Sequence, residues 1–133
     1  LESWLRVVIG SQSSLQWSVG YTAMKTTNEE DVVSTYISSH PRHLINSQLL
    51  FRHEKFELGL NGLYKVRDAR VATSIESSLE RSYGLFNVRG TYLVREHFDA
   101  FFQLYNVFDA NYQDILGAQM PGRWWMSGIR YQF

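Results

Sequence analysis

The chain contains no cysteine, so disulfides are excluded and composition leaves the redox compartment open. Neither sign of charge is in excess: thirteen Lys and Arg offset thirteen Asp and Glu. With no basic patch evident either, nothing points to a nucleic-acid partner. No apolar run is long enough for a membrane-spanning helix. No methionine opens the sequence, and no basic-then-apolar leader follows Leu1. The 133 residues suffice for one domain. What the chain has in abundance is rings: four Trp, eight Tyr and eight Phe, at a negative mean hydropathy. So many rings in an otherwise polar chain suit a thin apolar surface rimmed by amphipathic side chains.

Period two organises the rest. In "FELGLNGLYKV" (56–66), Phe56, Leu58, Leu60, Gly62, Tyr64 and Val66 alternate with Glu57, Gly59, Asn61, Leu63 and Lys65. That is a strand with one apolar and one mostly polar face. The pattern returns at Phe86, Val88, Tyr92 and Val94, opposed by Asn87, Arg89 and Thr91, and at Leu15, Trp17, Val19 and Tyr21. The last stretch sets Trp125, Ile129, Tyr131 and Phe133 against Arg130 and Gln132. A helix would smear these sets around its circumference. The alternation predicts seven strands, near 3–9, 15–25, 43–52, 56–66, 82–94, 98–106 and 123–133.

The connections sharpen the fold class. "GSQSS" (10–14), "HEK" (53–55) and "REH" (95–97) are short, whereas 26–42, 67–81 and 107–122 each run to about fifteen residues. Short and long alternate, so an antiparallel up-and-down sheet collects all short turns at one rim and all long loops at the other. Transmembrane β-barrels of outer membranes have that asymmetry. A strand of ~10 residues tilted by about 40° reaches about 25 Å, the height of the apolar band. Trp17, Phe51, Phe56, Tyr92, Phe98, Tyr131 and Phe133 are expected near the short-turn rim, and Tyr21, Tyr64 and Trp125 towards the other. Two aromatic girdles at two lipid–water interfaces account for such a division. Aromatic enrichment in strands of any kind is the alternative.

Alternation alone also fits a soluble ligand-binding barrel of the lipocalin or streptavidin kind, with its apolar face turned inward. Two features favour the membrane: seven readable strands rather than eight, and an apolar alternation carried to the final residue. Ile129, Tyr131 and Phe133 resemble the C-terminal signature of outer-membrane proteins, which the barrel-assembly machinery reads through a terminal aromatic residue. An extended edge of this kind suits recognition by strand addition.

A second resemblance covers Phe98 to Phe133. Asn106, Val107, Phe108, Asp109 and Tyr112, then Pro121, Gly122 and Arg123, then a strand closing on Phe133, resemble the end of TonB-dependent outer-membrane receptors. In that family an Asn-Leu-Phe-Asp-x-x-Tyr stretch leaves the penultimate strand and a Pro-Gly-Arg loop precedes the last; Val107 stands in place of Leu. "PRH" at Pro41–His43 is similar to the family as well, and "ILGAQMPGRW" leans towards its cobalamin and iron-chelate branch. The resemblance implies a ~22-stranded barrel with a plugged lumen. It implies that residues 1–133 form about seven C-terminal strands of it, with the plug domain and the earlier barrel strands lying elsewhere. It further implies import of a scarce nutrient across the outer membrane of a Gram-negative bacterium. Outer loops capture the solute, the plug seals the lumen, and energy delivered through TonB rearranges the plug. The implied partners are outer-membrane lipid, the assembly machinery, the rest of the receptor and a small-molecule nutrient. Neither a cofactor nor a catalytic step is expected. As an isolated open sheet such a piece would leave two unpaired edges, each backbone group costing several kcal/mol in lipid.

Within that frame Glu57, Asn61, Lys65, Asn87, Arg89 and Gln103 face the lumen, where contact with the plug is favoured over contact with solute. Asp109, Asn111 and Asp114, like Glu29, Glu30 and Asp31, suggest a cation loop, yet neither group offers the six or more oxygens calcium needs. Turn chemistry explains them more simply. His40, His43, His53 and His97 lack the spacing that converges on a metal. An enzyme of the triad kind would need Ser, His and acid to converge, and no Gly-x-Ser-x-Gly elbow is present.

Overall fold

A computed structural model describes residues 2–9, 12–25, 40–67, 70–72, 77–115 and 117–131. Eleven strands follow in order: β1 (Glu2–Ile9), β2 (Ser13–Ala23), β3 (His43–His53), β4 (Phe56–Val66), β5 (Arg70–Ala72), β6 (Ser77–Leu79), β7 (Ser82–Arg95), β8 (Phe98–Tyr105), β9 (Gln113–Ile115), β10 (Ala118–Gln119) and β11 (Trp124–Tyr131). Seven form one sheet in the order β1-β2-β3-β4-β7-β8-β11, and every pairing in it is antiparallel. This is the up-and-down meander that the connection lengths predict. β5–β6 and β9–β10 are separate two-stranded ribbons inside two of the long connections.

Two details differ from the sequence reading. The short connections are tighter than expected: His53 pairs with Phe56 across Glu54–Lys55, and Arg95 pairs with Phe98 across Glu96–His97. Ser13 and Ser14 likewise belong to β2. Polar side chains at strand ends resemble turns in sequence, but a ladder bond needs only the backbone. Glu54 absorbs the reversal with a φ of 49°. The second difference is the pair of ribbons, whose strands are too short to show a period.

Register separates the faces. One ladder row runs Trp17–Leu49–Leu60–Val88–Leu104–Trp125, and another runs Tyr21–Ile45–Tyr64–Gly84. The row offset by one residue from the first is Ser18–Gln48–Asn61–Asn87. From β2 to β11, away from the irregularity between Leu93 and Arg95, the first face carries no Asp, Glu, Lys or Arg. Several of its polar atoms pair with each other: the Trp17 indole N–H donates to Ser47 Oγ (2.9 Å), and the Tyr21 hydroxyl bonds His43 Nδ1 (2.8 Å).

The sheet has no interior. Among the described residues only Leu79, Tyr83, Arg67, Gln103 and Asn106 are buried, so polar residues outnumber aliphatic ones inside. On the apolar face Trp125 is 66% exposed and Ile129 75%. The chain exposes 10025 Å², where a compact soluble protein of this mass would expose about 7,200 Å². A sheet normally buries at least one face against a second layer; among the described residues no second layer spans either face.

Candidate functional site

The polar face holds the first candidate. Residues of five adjacent strands, from Gln16 in β2 to Tyr105 in β8, line a groove of about 350 Å³. Of the six residues expected on the lumen, Glu57, Asn61, Asn87, Arg89 and Gln103 meet in this groove. Lys65 shares their face by register but lies at the loop end, bonded elsewhere. Arg52 Nε donates to Glu57 Oε2 at 2.6 Å, and Asn87 Nδ2 donates to Asn61 Oδ1 at 3.3 Å. The Tyr105 hydroxyl donates to Gln103 Oε1, which helps bury that amide, and the Tyr105 ring stacks on Trp124 at 4.1 Å. The groove is therefore a hydrogen-bonding surface rather than a cluster of charge.

The Asn106–Arg123 motif closes into one knot. Asn106 is 4% exposed and adopts φ 49°, a left-handed conformation that Asn tolerates better than most residues. Its backbone N–H donates to Asn87 Oδ1 (2.9 Å) and its Nδ2 donates to the carbonyls of Ala110 (2.9 Å) and Pro121 (3.3 Å), while its Oδ1 accepts from Ala110 N (2.8 Å). Asp109, also left-handed, accepts from Arg123 N at 2.6 Å. A Cβ on Gly122 would lie 2.6 Å from that same Asp109 oxygen. Phe108 turns outward and tilts against Phe86 at 5.8 Å. Asn106, Asp109, Pro121, Gly122 and Arg123 are thus the two ends of one loop, tied to the polar face through Asn87.

A third cluster lies at the loop end of the sheet. Arg67, 1% exposed, donates to the carbonyls of Glu80 (3.0 Å), Asp114 (3.1 Å) and Gln113, which belong to two different loops. Asp114 Oδ1 accepts from Lys65 Nζ (2.6 Å) and from the Tyr83 hydroxyl (2.9 Å). Tyr112 stacks on Tyr83 at 4.8 Å, and the Arg67 guanidinium lies 5.3 Å from the Tyr83 ring centre. Burial opposes ionisation of Asp114, but the hydrogen bonds from Lys65 and Tyr83 and the charges of Lys65 and Arg67 outweigh it, leaving the carboxyl below the ordinary range. Burial first, then the Asp114 charge, raises the Tyr112 phenol above its usual value. Lys65 and Tyr83 both stand on the polar face, so the loop carrying Asp114 bends over that side. Sequence reasoning missed Arg67 because its acceptors lie 13 and more residues away. An arginine straight after an apolar strand end was the available signal.

The remaining candidates scatter. Ile129 and Tyr131 sit on the apolar face, with Tyr131 4.7 Å from Phe98; Phe133 lies outside the described residues, as do Glu29, Glu30 and Asp31. The ring groups separate at Phe56–Tyr92 and Phe98–Tyr131 on one side and Tyr21–Tyr64 on the other. Trp17 and Trp125 were expected at opposite rims, but they share one ladder row, so only strand tilt can place them at different heights. Asp109, Asn111 and Asp114 do not converge: Asn111 bonds Gln119, and the two acids serve the separate clusters above. Among the described residues no three His, Cys, Asp or Glu side chains group as metal ligands.

Fold and faces together define a class: a two-faced antiparallel meander whose described loop residues include the two ribbons β5–β6 and β9–β10. Comparison with protein-family models and with curated proteins gives no match.

Proposed function

We propose that this chain is part of the barrel wall and outer loops of a TonB-dependent outer-membrane receptor. In this reading it takes up a scarce nutrient, such as cobalamin or an iron chelate, without covalent chemistry. The observation that carries the reading is the segregation of faces on a sheet that has no second layer. A charge-free apolar face, exposed across six consecutive strands, suits lipid. A polar, hydrogen-bonding groove on the opposite face suits a water-filled or plugged lumen. Closure of the Asn106–Arg123 motif into a single knot gives the resembling residues a shared structural reason. In the receptor the remaining strands complete the wall, the plug occupies the polar side, and the loops held by Arg67 lie outside the cell. The soluble lipocalin-like barrel would need β1 to pair with β11, yet each of those strands has one neighbour only among the described residues.

The test exploits the alternation in β4. Leu60→Arg in the central apolar row should destabilise the protein folded in lipid vesicles by about 2–4 kcal/mol, with Asn61→Arg costing far less. Denaturant titration of both variants measures the difference. Equal tolerance at the two positions would overturn the assignment of faces.

A further inference from the structure

The apolar face from β2 to β11 is broken by charge at one place. Leu93 pairs with Asp99, but the β7–β8 ladder then shifts register and Arg95 pairs with Phe98. A bulge of this kind resets the alternation and re-aims the side chains beyond it. Without the shift Arg95 would follow Leu93 onto the polar face. With it, Arg95 stands opposite Phe98, in the row that Phe98 shares with Tyr131. The same place holds a depression of about 590 Å³, whose lining includes Lys55, Val94, Arg95 and Phe98 with the turn residues Glu96 and His97. Lys55 comes from the neighbouring turn, where its carbonyl accepts from Leu93 N at 2.8 Å. Val94 and Phe98 are exposed there.

Charge around the depression is unequal. Arg52, Lys65, Arg67 and Arg130 each have an acidic partner, whereas neither Lys55 nor Arg95 has one among the described residues. Glu96 is the single acid of the lining, so two cations stand against one carboxylate. We propose that this depression seats one anionic phospholipid, its phosphate held by Lys55 and Arg95 and its acyl chains lying along Val94 and Phe98. This rests on the barrel reading above, which makes the short-turn rim the periplasmic one, and adds a headgroup preference at one point of that rim. The mixed lining selects an amphiphile. A free phosphate would use the cations and leave Val94 and Phe98 wet, while a zwitterionic lipid would leave the excess positive charge unanswered. Long basic side chains at a membrane rim reach water unaided. Here the bulge instead turns Arg95 into the apolar row, at the depth where a phosphate joins its acyl chains.

Photo-crosslinking of the full-length protein tests the seat. Benzoylphenylalanine replaces Phe98, and the protein is reconstituted in vesicles of equal parts phosphatidylcholine and phosphatidylglycerol. Mass spectrometry then identifies the captured lipid. The same probe at Tyr64, towards the other rim of the apolar face, reports the bulk composition. Phosphatidylglycerol adducts should exceed phosphatidylcholine adducts at Phe98 and match them at Tyr64. Lys55→Gln and Arg95→Gln should each lower the ratio about fivefold, the contribution of one basic side chain near an anionic surface. Arg95→Lys should retain most of it, and Glu96→Gln should raise it. Salt gives a readout that does not depend on how the variants fold. In the protein with Lys55 and Arg95 intact, about 1 M salt, where charges are screened beyond about 3 Å, should bring the ratio towards one. Equal adducts at Phe98, the same excess at Tyr64, no adduct at Phe98 alone, indifference to salt, or an unchanged ratio in the Lys55→Gln/Arg95→Gln protein would overturn the seat. Absence of lipid adducts at both positions refutes the receptor reading itself, whereas capture at both without a headgroup preference refutes only the seat.

Discussion

At the residue scale the sharpest constraint is the clearance between Gly122 and Asp109. The Asp109 carboxylate occupies the space a Gly122 side chain would need, and it is held there by the Arg123 N–H. Gly122→Ala can be accommodated only if that carboxylate swings away and the hydrogen bond is lost. A charge-assisted bond of this kind contributes about 1.5–3 kcal/mol. We expect Gly122→Ala to cost about that much, and to cost little once Asp109→Ala has removed the obstacle. A double-mutant cycle by denaturant titration reads the coupling; additive effects would show that the contact is not the cause. The sequence shows an Asn, an Asp and a Pro-Gly-Arg at recognisable spacing. It does not show that Asn106 reaches back to Pro121, because the intervening ribbon sets that approach.

Elements were legible to different degrees, for a physical reason. Strands such as β4 advertise themselves because eleven alternating positions on a two-sided sheet leave a clear period. β9 and β10, at three and two residues, have no room for one. Their placement depends instead on Arg67 and Asp114, whose partners are distant in sequence. Arg67→Ala would leave carbonyls of Glu80, Gln113 and Asp114 without their shared donor. The loops 67–81 and 107–122 should then be cut faster by protease while the sheet persists. Asp114 adds a pH dependence of defined sign. A carboxyl depressed in the folded chain stabilises the fold above its unfolded pKa, and that contribution is lost as pH falls through the depressed value. Loop cleavage by an acid-tolerant protease should therefore accelerate below the ordinary carboxylate range. Asp114→Asn should be cut rapidly at every pH, and a wild-type rate with no pH response would contradict the role of the carboxylate.

For the whole molecule, the excess of exposed surface sets the behaviour outside a membrane. With neither face under a second layer and β1 and β11 each paired on one side only among the described residues, the 133-residue chain should sediment as polydisperse aggregates in buffer and disperse only in detergent. Sedimentation velocity with and without detergent makes the comparison. A single monomeric species in plain buffer would count against both uncovered faces and the receptor reading built on them. The lack of an interior has one more consequence, for how this sequence can drift. In a globular domain, shortening a buried Leu leaves a void between neighbours, and the void adds about 24 cal/mol per Å³ to the transfer loss. Among the described residues no second protein layer lies above Leu60 or Ile129, and in the proposed receptor fluid acyl chains would refill any space a shortened side chain vacated. Only the transfer part of the penalty remains, so one apolar residue can replace another with little regard for shape. Generations of interchange among Leu, Val, Ile and Phe on one side of the strands, beside strict retention of Asn106, Asp109 and Gly122, would erase overall similarity long before it altered the architecture.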